Sequence, residues 1–429
     1  VSQRITSWSG ACATRTLLVP SRGFDCASAQ PAFIPRGGGN SFGDAAFLTD
    51  GFTVSCLDEA GLDMEDDSGG AVTCGAGVTM GHLHAELERR DLHLGVYGGT
   101  QFATAGGAVA SDIHGKNDRA VGSCGNHVLA LRLRTATGEV LHLSRSSDPE
   151  LFSATLGGLG LTGVIDRVTF RVSRRERSCI RVRGRRVRSM PEMLACFAEV
   201  PSDHHVGDWL LPADAPDAGF FWYAVEQPGA APPPPSASNL WLPRTRALGR
   251  FTVGLNSRLM ALVAGRVDMI KHPRAFHYGG VHQRLRNWNR LYGRRGFCEY
   301  HWAVAADRFL EVYEQLVALA RQHAVSPLFG VVKAFGSIAR EGLLSFPGEG
   351  FAFSFQMENT PRHRAFMLCF TERLVDAGGR AYLTKDSVLA PRHVERMYPA
   401  LDRWRAIVGR VDPEGRVRSD LSTRLGLKP

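Results

Sequence analysis

Alternating apolar and polar positions, set between glycines, dominate the first third of the chain. Phe52-Thr-Val-Ser-Cys56, Ala71-Val-Thr-Cys74 and Val128-Leu-Ala-Leu-Arg-Leu-Arg134 read as short strands, because β-branched and alternating residues suit a half-buried pleat. Gly37-Gly38-Gly39, Gly98-Gly99, Gly106-Gly107 and Gly157-Gly158 punctuate them. Helical spacing intervenes from Thr79 to Arg90. Asp148-Pro149-Glu150 joins an N-cap, a first-turn proline and a first-turn acid, which predicts a short helix stopping at Gly157. Strands and helices mix without βαβ regularity, and this predicts an α+β fold.

Beyond Val172 the pattern changes. Arg174 to Arg188 is arginine-dense, and Ile180-Arg-Val-Arg183 alternates as a half-exposed strand does, so a domain boundary is expected near 175–180. Pro228 to Asn239, rich in proline and alanine, sustains neither ladder nor helix and reads as an exposed loop. Ala305 to His323 predicts an amphipathic helix with Phe309, Val312, Tyr313, Leu316, Val317 and Ala320 on one face. Arg364 to Ala377 predicts another, ending at Gly378.

Length and composition narrow the class. At about 150 residues per domain, 429 residues imply two or three domains, and 44% hydrophobic with 22% charged residues fits a globular chain with a large core. No apolar run reaches the ~18 residues of a membrane span, and Val1 to Val19 has no secretory apolar stretch, so a cytoplasmic location is expected. Nine scattered cysteines without a C-x-x-C pair encode neither a disulfide framework nor a structural zinc site, and no metal is expected. Of the 51 basic residues only five, at 116, 271, 333, 385 and 428, are lysine. Arginine is the ordinary surface cation here. Lys116, Lys333 and Lys385 therefore become site candidates, since a lysine can lose its proton or set a point charge where an arginine cannot.

Two motif matches fail on context. Gly158-Leu-Gly160-Leu-Thr-Gly163 fits G-x-G-x-x-G, but a helix precedes and a strand follows, the reverse of a dinucleotide site. Gly39-Asn-Ser41-Phe-Gly43 fits G-x-S-x-G, yet glycines stand where a nucleophile elbow needs a strand. His204-His205 is a poor metal site, because neighbours on an extended segment face opposite ways. What remains is a set of three glycine-lined walls. Arg36 to Asp44 offers backbone N–H groups free of Cβ obstruction, which suits a diphosphate; Gly98 to Asn117 is long enough to run beside an extended cofactor; and Gly157 to Gly163 supplies a third wall.

These residues carry a resemblance. The chain is similar to the FAD-binding oxidoreductases of the vanillyl-alcohol oxidase superfamily (PCMH-type FAD domain), and within it to the decaprenylphosphoryl-β-D-ribose 2'-oxidase group. The likeness runs from about Ile5 to Leu427, most specifically at Arg36 to Asp44, Ser111-Asp-Ile-His-Gly-Lys-Asn117, Gly125-Asn-His127, Asn287-Trp-Asn-Arg-Leu-Tyr-Gly293, Leu344-Ser-Phe-Pro347, Thr384-Lys-Asp-Ser387 and Val411-Asp-Pro413. It implies a discontinuous FAD-binding domain, residues 1–178 and 380–429. Between them, 179–379 would form a substrate domain of antiparallel sheet and flanking helices. It places FAD against Pro35, Arg36, Gly37, Gly38, Gly39, Asn40, Ser41, Phe42, Gly43, Asp44, Ala45, Gly99, Thr104, Ala105, Gly106, Gly107, Ser111, Asp112, Ile113, His114, Ile165 and Tyr382. Lys385 would meet flavin and sugar as the catalytic charge, with His114 positioning. Trp209, Tyr292, His301, Lys333, Phe335 and Ser354 would line the substrate pocket with it. Asn40 stands where tethered relatives carry histidine, so the FAD is expected to be non-covalent.

The implied activity is oxidation of a secondary hydroxyl on a furanose by hydride transfer to flavin N5. The substrate would be a polyprenylphosphoryl pentose, and the step the first half of an epimerisation completed by a separate NADH-dependent short-chain reductase. A flavin oxidase of a soluble sugar, aldonolactone, or natural-product glycoside or nucleoside is the alternative. From another class comes a basic binder of acidic surfaces, suggested by the net charge of +9. The arginine run lacks the aromatic interleaving of a nucleic-acid site, so no nucleic-acid partner is expected, while peripheral contact with a membrane is compatible with it.

Overall fold

The computed structural model describes residues 2–63, 70–174, 178–202, 204–210, 218–234, 242–245, 247, 267–278, 287–327 and 329–428. β1 (Ser2–Thr6) and β2 (Ala13–Pro20) form an antiparallel hairpin, to which β3 (Phe33–Arg36) and β4 (Phe52–Ser55) add in the order β1-β2-β4-β3. β4 runs parallel to both β2 and β3, an arrangement that needs crossovers; the chain leaving β3 at Arg36 makes one of them with the glycine loop. β5 (Leu62–Asp63) and β6 (Ala71–Gly75) begin a second, antiparallel sheet. It is completed by β8 (Val128–Arg134), β9 (Val140–Ser144) and β10 (Val164–Arg171), in the order β5-β6-β10-β8-β9. β7 (Leu92–His93) pairs with β11 (Ser173–Arg174) alone. The expected helices stand on these strands. Met80–Glu88 is capped by the Thr79 side chain, and Pro149–Thr155 by Asp148, whose left-handed backbone (φ 45°) turns its carboxylate onto Leu151 N–H.

Among the described residues from Ser178 onward, eight strands build one broad antiparallel sheet. These are β12 (Ser178–Val187), β13 (His204–Leu210), β14 (Ala218–Pro228), β15 (Asp268–Lys271), β16 (Phe297–Val304), β17 (Phe329–Phe335), β18 (Gly350–Glu358) and β19 (Arg380–Ala381), ordered β15-β12-β14-β13-β17-β18-β16-β19. Strand alternation gives the sheet two unlike faces. Tyr300, Trp302, Phe353 and Phe355 point toward the helices Phe309–Gln322 and Pro361–Asp376, where Trp302 stacks on Phe309 with ring centroids 5.1 Å apart. Their neighbours Glu299, His301, Ala352, Ser354, Val331, Lys333 and Asp208 share the other face by register. This polar face holds the site.

Pro361–Asp376 begins earlier than its apolar spacing suggests, because Thr360 caps a first turn made of Pro361, Arg362 and His363. The proline-rich loop lies outside the described residues from 235 onward. The nine cysteines are all unbonded. No helix among the described residues is long and apolar enough to cross a membrane.

After β19 the chain returns to the first two sheets through helices Pro391–Met397, Leu401–Val411 and Asp420–Arg424. Trp404 donates its indole N–H to Ala154 O at 2.9 Å, Arg416 donates to the carbonyls of Cys26, Ala27 and Ala136, and Val417 bridges to Phe33. Arg424 reaches farthest. Its guanidinium joins Asp44 of the glycine loop (2.8 Å) to Asp386, beside Lys385 (2.9 Å).

Candidate active site

The glycine loop is built around close backbone approaches. A Cβ on Gly43 would lie 1.9 Å from the carbonyl oxygen of Asp386, and Gly39 has φ 66°, so neither position accepts a side chain without moving its neighbours. Arg36, mostly buried, folds back to donate to Ala46 O at 3.0 Å. The Asn40 amide donates to Phe102 O at 2.8 Å, which ties the loop to the second glycine wall. There Thr104 caps Ala105–Ala110 through Gly107 N–H. A β-strand does end just before the loop, yet no helix follows Ser41, so the nucleophile-elbow match still fails.

Not every expected cofactor contact offers its side chain. The Asp44 carboxylate is taken by Arg424. That of Asp112 is fully buried and accepts from Ser123 Oγ (2.8 Å), Ser345 Oγ (2.6 Å) and Gly125 N–H (2.7 Å), locking the loop Ser111–Asn117 to the 342–346 turn. Ile165 is a core residue of β10. Gly99 by contrast faces open space. Tyr382 donates its hydroxyl to Ser111 O at 2.7 Å and hangs its N–H on His301 O.

On the polar face, aromatic and imidazole rings close around His114. Its ring centroid lies 5.2 Å from His301, 5.0 Å from Phe335, 5.4 Å from Phe346 and 5.2 Å from Tyr382. Both imidazoles are buried with Nδ1 unpartnered, and burial together with nearby Lys333 and Lys385 pushes their pKa values far down, so both rings are neutral. Unpaired polar atoms this deep are costly unless something else meets them.

Lys385 approaches from the turn after β19. Its ammonium pairs with Glu299 and stands 5.3 Å from the centre of the Phe42 ring. Glu299 in turn accepts from the Gln356 amide at 3.1 Å, and Gln356 accepts from the Tyr292 hydroxyl. The result is a chain Lys385–Glu299–Gln356–Tyr292 across β16 and β18. Lys333 and Ser354 lie on the same face. Farther along are Asp208, whose pKa burial raises to about 6, and Lys116, which burial lowers to about 8.

One expected pocket residue is elsewhere. Trp209 is next to Asp208 on β13, so alternation sends it to the helix side, where its indole N–H donates to the Tyr313 hydroxyl at 2.7 Å and its ring is fully buried. It packs the core and does not line the pocket. Conversely, Glu299, Gln356 and Asp208 are site residues that the sequence reading missed. The signal for Glu299 was present: a carboxylate two residues before His301 in the otherwise aromatic run Phe297-Cys-Glu-Tyr-His-Trp302 puts both on one face of a buried strand.

Comparison with known proteins agrees with this geometry. Residues 25–144 match the FAD binding domain family. The chain is 30% identical to the decaprenylphosphoryl-β-D-ribose oxidase of Mycolicibacterium smegmatis over 92% of its own length and 89% of that protein. The chain belongs to this family of FAD-dependent oxidoreductases. Within the wider group it is 25% identical to L-gulonolactone oxidase of Bos taurus, over 88% of the chain and 86% of that protein. To L-gulono-1,4-lactone dehydrogenase of Mycobacterium tuberculosis it is 24% identical, over 91% and 89%. A mixed helix and sheet fold and FAD as cofactor follow for this family member. The residues present fit that cofactor: Gly99 faces open space, and the Nδ1 atoms of His114 and His301 are buried without a partner.

Proposed function

We propose that the protein oxidises a secondary hydroxyl of a furanosyl substrate carrying a phosphoryl group, of the polyprenylphosphoryl pentose class, as the first half of an epimerisation. The observation that carries this reading is the convergence of Lys333 and Lys385, two of only five lysines, around the neighbouring imidazoles of His114 and His301. A neutral lactone gives such a pocket nothing to neutralise. The keto product would then be reduced by a separate NADH-dependent reductase. Contact with a membrane surface would bring a lipid-linked substrate within reach.

The division into 1–178 and 380–429 for FAD and 179–379 for substrate is supported to within a few residues by the eight-stranded sheet, which begins at Ser178 and takes in β19 (Arg380–Ala381) before the returning helices start. FAD would be held, without a covalent bond, by the loop from Pro35 to Ala45, by Gly99, by Thr104 to Gly107 and by Ser111 to His114. Bound there, it supplies a two-electron acceptor for the substrate C–H hydride. The protein supplies charge and orientation. Lys385 sets a fixed ammonium where negative charge develops as the hydroxyl proton departs, and Glu299 holds that ammonium in place while offering a carboxylate to the proton. Gln356 and Tyr292 fix Glu299. His114 and His301, neutral and ringed by Phe335, Phe346 and Tyr382, orient the sugar by hydrogen bonds and exclude water.

Anaerobic mixing of the holoenzyme with polyprenylphosphoryl pentoses, free furanoses, aldonolactones and nucleosides tests this. Bleaching of the flavin by the phosphoryl pentoses at the lowest concentration is expected, and bleaching by lactones alone would refute it.

A further inference from the structure

A second group of buried rings joins the helix Met80–Glu88 to the helix Pro273–His277, and among the described residues it shares no ring contact with the group around His114. His84 stacks on Tyr97 with centroids 4.3 Å apart and planes at 10°, and His277 stacks on the same ring at 4.0 Å and 6°. Two rings that near and that parallel cannot share a face, so Tyr97 is sandwiched between them. Tyr278 closes the edge at 6.0 Å from His84, and His204 of β13 lies 5.0 Å from His277. His84, Tyr97 and His277 are 2%, 2% and 4% exposed. Neither nitrogen of His277 has a hydrogen-bond partner among the described residues, nor has Nε2 of His84 or the Tyr278 hydroxyl. Stacked rings turn faces, not nitrogens, to one another, and no group among the described residues is placed to hold a metal ion.

The charges around the stack all oppose a proton on it. His84 is faced by His93 of β7 and by Arg274, and His277 by His204, Lys116, His84 and His93. The acids of the neighbouring elements are committed elsewhere: Glu88 to Arg274 at 2.8 Å and His272 at 3.6 Å, Glu226 to His204 at 3.0 Å, and Asp208 to Lys116. A hydrogen bond to the backbone of Val96 favours the charged form of His84, but burial outweighs it. Burial first, then the positive neighbours, holds the His84 pKa down to about 3 and that of His277 far below the ordinary 6.5. Attraction of a charged imidazole to the face of Tyr97 is worth less than the hydration that ring has given up.

We propose that the His84–Tyr97–His277 stack is a latch released by acid: when His277 takes a proton it leaves Tyr97 for water, and the segment 272–278 parts from the helix Met80–Glu88. Each freed imidazole gains one proton from solvent and no other bond changes. Above pH 6.5 the rings are neutral whether the latch is closed or open, and pH has no leverage on it. Below that value only the opened state gains protons, so the contact loses stability as pH falls. Lys116 donates to Phe276 O and lies 4.5 Å above the Phe276 ring, so the same movement unseats Lys116, two residues along its loop from His114. The inference is independent of the substrate.

Hydrogen exchange of the FAD-loaded protein tests it, read by mass spectrometry over peptides covering 272–278 and 309–322 and corrected for intrinsic rates. Freed imidazoles titrate near 6.5, so between pH 7.5 and pH 5.5 opening of 272–278 should rise about 10-fold for His277 alone and about 100-fold if His84 is freed with it. The helix peptide 309–322, which carries neither ring, should change less than ~2-fold, and return to pH 7.5 should restore protection. His277→Gln, which has no ring to titrate, should cut the ratio between the two pH values about 10-fold whatever its protection at pH 7.5, so a destabilised variant still reports. A wild-type ratio below ~3-fold, an equal rise in 309–322, a ratio unchanged by His277→Gln, or protection that does not return would each overturn the latch.

Discussion

Lys385 meets Glu299 at the centre of the proposed chemistry, and the pair allows two readings with different consequences. If the ammonium stabilises charge in the transition state, Lys385→Met should keep FAD bound and slow anaerobic flavin reduction at least ~100-fold, the scale for losing one preorganised electrostatic contact. Lys385→Arg should rescue little, because a planar fork does not replace a point charge. If the pair only braces β16 against the turn after β19, the Met variant would melt earlier yet reduce flavin at a near-normal rate. Single-turnover reduction and melting temperature, measured on one preparation, decide between them. At this scale the sequence was informative wherever a residue type was scarce. Five lysines among 51 basic residues marked out Lys116, Lys333 and Lys385, whereas Glu299, one of 42 acids, had no such contrast.

Strand alternation explains both what the sequence showed and where it misled. Runs such as Val128–Arg134 and Ala71–Cys74 disclosed strands because buried positions alternate with half-buried ones, while β16 is buried at every position and hides which face holds chemistry. Trp209 shows the difficulty. A single step in register separates it from Asp208, and only the pairing of β13 with β17 decides which of the two faces the site. Trp209→Phe should therefore cost stability, about 1–3 kcal/mol from a lost buried hydrogen bond and a cavity beside Tyr313, while the folded fraction reduces flavin at the wild-type rate. Denaturant titration with stopped-flow reduction checks it, and a stable but slow variant would return Trp209 to the pocket. The capped helices were readable to within a turn because their signals are local, as Thr79 and Asp148 show. The order of the eight strands was not, since it depends on contacts between residues far apart in the chain.

Across the whole molecule, Arg424 is the clasp between the glycine loop and the turn that carries Lys385. The Asp386 side chain is 1% exposed and that of Asp44 is 12% exposed. Arg424→Ala would leave two carboxylates facing each other in a mostly dry place. It should cost about 3 kcal/mol and weaken FAD retention, measurable as a lower melting temperature and faster flavin loss on dilution; an unchanged melting temperature would mean that water replaces the guanidinium. The cofactor should nonetheless leave intact. Asn40 has no ring nitrogen to alkylate and its amide is bound to Phe102 O, so acid precipitation should release all the flavin as FAD, and yellow colour in the pellet would show a covalent bond.

The clasp also has a consequence in time. Asp44 and Arg424 are 380 residues apart. At roughly 5–20 residues per second of synthesis, the glycine loop emerges from the ribosome about 20 to 80 s before the cation that fixes it. Through nearly all of that interval the Asp44 carboxylate lacks the arginine that pairs with it and the first sheet lacks its bridge to Val417. Tight capture of FAD is thus a late event in synthesis, and until Arg424 emerges the glycine loop is held by fewer contacts than in the finished fold.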